Sequence, residues 1–172
     1  MRADAAKAGA LLLVAVLVQI TLVTPLEIAS GHPDVVLVLL VVVALLRGPL
    51  LGAAAGFWAG LVLDVASLQT LGLSSLLLTL TGYWAGRFGE ATTRSSPYPP
   101  LVAAALATLW LGVGSTTVHF LLGDGVPSAA VFGEVLLPTL ALNVLVATPL
   151  YRLALRLFPV VVRERREAVA LG

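Results

Sequence analysis

Residues 47–64 read Arg47-Gly-Pro-Leu-Leu-Gly-Ala-Ala-Ala-Gly-Phe-Trp-Ala-Gly-Leu-Val-Leu-Asp64, with glycine at 48, 52, 56 and 60 and the same register closing on Asp64. In water this is a poor helix, because each interior glycine costs about 1 kcal/mol relative to alanine. In lipid the same spacing is useful, since small residues four apart let two backbones approach along a shared stripe. A four-residue step overshoots one turn by about 40°, so the stripe winds around the helix and predicts a right-handed crossing of about −40°. Gly82 and Gly86 repeat the spacing further along. These six glycines are the expected helix-packing positions. The spacing leaves open whether the neighbouring helix belongs to this chain or to a partner protein.

Composition places the stretch in a membrane. Of 172 residues, 59% are hydrophobic and 11% charged, with a mean hydropathy of +1.05. A soluble domain carries roughly a quarter charged residues. There is no cysteine, which excludes a disulfide framework, a thiolate metal site and a cysteine nucleophile. The chain reads as a single integral membrane domain over residues 1–172.

The expected fold is all-α: a polytopic bundle of six transmembrane helices at about 5–28, 34–46, 49–63, 71–88, 101–122 and 131–158, with a cytoplasmic tail at 159–172. Breaks fall at Ser30-Gly31-His32-Pro33, Arg47-Gly48-Pro49, Ser95-Ser96-Pro97 and Gly123-Asp124-Gly125, where glycine and proline punctuate the apolar runs. The second and third segments reach only about 20–23 Å, against a hydrocarbon core of about 30 Å. Both are therefore expected to be short crossings tucked among longer neighbours. A re-entrant hairpin would instead bury Arg47, at a cost of at least about 2.5–3.5 kcal/mol.

Charge sets the orientation. With the N-terminus inside, all ten basic residues fall on one side: Arg2, Lys7, Arg47, Arg87, Arg94, Arg152, Arg156, Arg163, Arg165 and Arg166. The opposite ends carry Glu27, Asp34, Asp64, Asp124 and Glu134. Short-loop Lys/Arg bias orients membrane proteins, so both termini are expected in the cytoplasm. The first apolar run exceeds the usual 7–15 residues or so of a cleaved leader, and is read as a retained helix.

The polar residues have competing readings. Asp34 follows Pro33 at a helix N-terminus, where the dipole favours a carboxylate, and is expected to cap. Asp64 sits at a helix C-terminus, the wrong end for that benefit, and is the better functional candidate. Arg47 and Arg87 are inside charges, with Arg47 in a tight turn. Ser115, Thr116 and Thr117 are expected to bond back to their own helix. His119 with Asp124 or Glu134 is a candidate proton-handling pair. Pro138 and Pro149 should bend the last helix, and Asn143 is suited to an interhelical hydrogen bond. The tail Arg163–Glu167, with Arg152 and Arg156, suits anionic head groups. There is no phosphate loop, metal-ligand cluster or nucleic-acid surface, so neither an enzyme nor a cofactor is expected.

From Pro33 to Arg87 the ordered set resembles the MreD family. It comprises Pro33-Asp34, a valine/leucine run, Arg47-Gly48, Gly52, Gly56-Phe57, Gly60-Leu61, Asp64, Leu71-Gly72-Leu73-Ser74 and Gly82-Tyr83-Trp84-Ala85-Gly86-Arg87. The resemblance implies a non-catalytic scaffold of the bacterial rod (elongation) system in the inner membrane, helping to organise peptidoglycan synthesis and cell shape. It implies an MreC-type partner and, through it, the MreB filament, RodA and a class B penicillin-binding protein. The family's membrane architecture is also similar to the substrate-binding subunits of energy-coupling-factor transporters. That supplies the alternative, a small-molecule site near Asp34, Asp64 and His119.

Overall fold

The computed structural model describes residues 2–23, 31–68, 70–92, 98–123 and 129–157. These form six α-helices: α1 Arg2–Val18, α2 Val35–Arg47, α3 Pro49–Ala66, α4 Leu73–Ala91, α5 Pro99–Leu121 and α6 Ala129–Leu157. A short π-helical stretch, Gln19–Val23, extends α1. The expected tail at 159–172 and the end of the first segment, 24–28, lie outside the described residues, as do Glu27, Arg94 and Asp124.

The bundle is organised around α2. Its 13 residues are apolar on every side apart from the terminal Arg47, the pattern of a helix buried all round. Val36 through Leu46 are all buried, and α2 touches each of the other five helices. Its shortness, about 20 Å at 1.5 Å per residue, is accommodated because its neighbours rather than lipid surround it.

The third helix departs from the expected short crossing. α3 continues to Ala66, 18 residues or about 27 Å. It is also not recessed: Phe57 and Trp58 on its outer face are exposed. The helix runs on past Asp64 because that carboxylate turns sideways to α4 instead of ending the apolar run. Among the described residues, three stretches are long and apolar enough to cross a membrane: Pro49–Ala66, Pro99–Leu121 and Gly133–Leu157. Two shorter ones, Ala6–Thr21 and Val35–Arg47, are also apolar. The 19-residue α4 is diluted by Ser74, Ser75, Thr79, Thr81, Arg87 and Glu90.

Candidate functional site

The glycine stripe lies against α4. A Cβ built on Gly52 would strike the carbonyl of Gly82, and one on Gly82 the carbonyl of Gly52. Gly56 faces the carbonyl of Leu78, Gly60 the backbone of Ser74 and Ser75, and Gly86 the backbone of Gly48 and Pro49. Rising numbers on α3 meet falling numbers on α4, so the two helices are antiparallel. Ser75 Oγ donates to the Phe57 carbonyl at 2.9 Å and ties them together. The neighbouring helix that the spacing leaves open is thus one of the chain's own, the two small-residue surfaces packing on each other. A helix from another protein could reach Gly52, Gly56, Gly60, Gly82 or Gly86 only by separating α3 from α4.

Gly48 has a different part. It forms the one-residue turn between α2 and α3 with φ 92°, a region that suits glycine. A Cβ there would meet only Glu90 Oε1, at 3.5 Å. Arg47 precedes it, half-buried in the last turn of α2. Arg87 pairs with Glu90 at 3.1 Å, both side chains at least half exposed. An exposed i,i+3 pair of this kind contributes little to stability.

Asp64 is almost fully buried, and its partner is the start of α4. One carboxylate oxygen accepts from Gly72 N at 2.8 Å and Ser75 N at 3.4 Å, the other from Ser74 N at 3.1 Å. The first turn of α4 has unsatisfied N–H groups and the positive end of the helix dipole. Asp64 answers both across the helix boundary. Its place at the end of α3 gives no local sign of this partner, because Gly72, which leads into the next helix, lies eight residues further on.

Asp34 caps α2, Oδ1 accepting from Leu37 N at 2.8 Å. Around it lies a polar cluster that ties four helices. Asp34 N donates to Asn143 Oδ1 at 2.6 Å, and Asn143 Nδ2 donates to Thr108 Oγ1 at 2.9 Å. Gln19 Oε1 accepts from Val35 N at 2.9 Å while Gln19 Nε2 donates to the Pro33 carbonyl at 3.1 Å. His32 N donates to Thr139 Oγ1 at 3.3 Å. Gly31 lies so close to Pro138 and Thr139 that a Cβ would collide with both. Gln19 and Thr108 escaped notice as site residues. A lone amide in an apolar helix was the available signal for Gln19; Thr108 pairs 35 positions away and left no local sign.

Asp34 and Asp64 are each engaged by backbone N–H groups, and sit on different helix pairs rather than facing a common site. Thr116 and Thr117 bond back to Gly112 and Val113 carbonyls at 2.8 and 2.7 Å. His119 lies in the last turn of α5, Glu134 is exposed on α6, and the proposed pairing with Asp124 lies outside the described residues.

The family model described as rod shape-determining protein MreD matches residues 8–161. The chain belongs to the MreD family. The match covers α2 through α6 and most of α1, so the whole bundle is the MreD unit, well beyond the Pro33–Arg87 motif region. Neither the curated proteins nor the solved structures provide a match. The MreD chain is accordingly a rod shape-determining membrane protein.

Proposed function

We propose that this MreD-family chain is a non-catalytic, multi-pass scaffold of the bacterial inner membrane. It crosses six times with both termini in the cytoplasm, and organises peptidoglycan synthesis during elongation through an MreC-type partner. Through that partner it communicates with the MreB filament, RodA and a class B penicillin-binding protein. The observation that carries the reading is the family match across residues 8–161. The sequence pattern, in which all ten basic residues fall on one side of the six expected segments, supports the orientation.

A scaffold reading agrees with the use of the polar groups. Asp34 and Asp64 hold helix starts, Asn143 bridges Asp34 and Thr108, and Gln19 ties the end of α1 to the start of α2 through Pro33 and Val35. No particular observation favours a transporter-type ligand site. Co-purification from native membranes tests the proposal: the tagged chain should bring down the MreC-type protein. Recovery of an ATPase pair in its place would favour the transporter alternative.

A further inference from the structure

Charge marks the depth of α6 in the membrane. Glu134 and Arg152, both exposed, bound a run with no Asp, Glu, Lys or Arg between them. At 1.5 Å per residue that run is about 27 Å long, close to the roughly 30 Å of a hydrocarbon core. Asn143 lies midway, about 13.5 Å from each end, and is completely buried. Its partner Thr108 stands about 13.5 Å along α5 from Pro99. Asn143 Oδ1 accepts from Asp34 N, the residue that caps α2. The α2 helix therefore starts near the membrane midplane and not at the outer surface.

Towards Glu134, the chain before α2 is not helical: Gly31 packs on Pro138 and Thr139, still inside the uncharged run of α6. Non-helical backbone at such depth persists only where protein or a water-filled cavity satisfies it. Here side chains do so. His32 N donates to Thr139 Oγ1, Asp34 N to Asn143 Oδ1, and the Pro33 carbonyl accepts from Gln19 Nε2. Pro33 has no N–H to satisfy. In the first turn of α2, Val35 N donates to Gln19 Oε1 and Leu37 N to Asp34 Oδ1. Discontinuous membrane helices that start near the midplane direct this positive end at an anionic group of a substrate. In this bundle the chain's own carboxylate stands there.

We infer that the second crossing is discontinuous, non-helical through the outer half of the membrane and helical through the inner half. Gln19, Asp34 and Asn143 fill its midplane helix start as an internal ligand. Together they form a latch that fastens the end of α1, α5 and α6 to α2. The small-molecule site of the transporter alternative is, at Asp34, taken by the chain itself.

Two measurements on the full chain in lipid nanodiscs test this. The first attaches a nitroxide to single cysteines at Leu137, Leu145 and Leu153, all exposed on α6. Collision with oxygen relative to a water-soluble nickel chelate rises with depth, and should be greatest at Leu145, about 3 Å from Asn143 along the helix. A maximum at Leu137 or Leu153 would move Asn143 off the midplane and overturn the inference. The second follows deuterium uptake at the amides of residues 32–38, which should be slow. Gln19→Leu and Asn143→Leu should each speed it about tenfold, the effect of one hydrogen bond lost in a buried place, while the α3–α4 contact keeps its protection. Rapid uptake in the unaltered chain would put the start of α2 in water, and unchanged uptake in both leucine variants would remove the latch; either overturns the inference. Uptake in the unaltered chain keeps the test decisive if a leucine variant fails to insert. Both measurements use this chain alone, so their outcome is separate from recovery of the MreC-type protein.

Discussion

Asp64 and Leu68 lie four residues apart at the end of α3 and have opposite consequences for stability. The Asp64 carboxylate receives three backbone N–H groups of α4 in a buried setting. Hydrogen bonds to a charged group contribute about 1.5–3 kcal/mol when one partner is removed. Asp64→Ala should therefore lower stability by about 2–3 kcal/mol, read as a drop in thermal midpoint in detergent. A catalytic or proton-carrying Asp64 would instead give a variant that melts normally and fails in function. Leu68 has φ 52°, a conformation costly for a side chain, and is almost fully exposed. Leu68→Gly should raise stability by about 1 kcal/mol, a rare case of a glycine improving a helical protein; an unchanged or lower midpoint would count against the strain. At this scale the sequence was only partly readable. Asp34 announced its capping role through Pro33 and the apolar run after it, whereas Asp64 and Asn143 bond to groups that become neighbours only after folding.

Between elements, the decisive contact is α3 on α4. Glycine spacing in residues 48–60 and at 82 and 86 was visible at once, and it located both halves of the contact without saying that they belong together. The turn at Gly48 was marked by Arg47 and Pro49 beside it; what the spacing could not reveal is that Gly89 lies against the backbone of Leu45 on α2. Steric effects should track these differences. Gly56→Ala places a methyl group on the Leu78 carbonyl, and should destabilise by about 1–3 kcal/mol or more, as overpacking does. Gly9→Ala meets nothing within 4 Å, and should be neutral or stabilising by up to about 1 kcal/mol through helix propensity. Thermal unfolding of the two variants side by side checks the pair, and equal effects would contradict the packing described. Helix ends were legible to within a few residues because proline and glycine mark them. α3 runs past its expected end because the Asp64 carboxylate reaches across to the next helix.

For the molecule as a whole, composition and charge pointed to a membrane bundle and an orientation, and the motif set pointed to a family that the match over residues 8–161 shows. The central position of α2 was legible only in outline: its shortness implied a place among longer neighbours, but which helices surround it depends on contacts no local pattern encodes. The proposed topology can be tested in this cysteine-free chain with single cysteines at Leu71, Leu122 and Tyr98, all exposed. A membrane-impermeant thiol reagent should label the first two from outside and the third only after lysis; the reverse pattern would invert the protein. The claim that matters most is that this bundle serves cell elongation, and depletion in its rod-shaped host measures it most directly. Cell width followed by microscopy should increase until the cells round, and restored expression should reverse the change. Rods of unchanged width after the protein is gone would contradict the account.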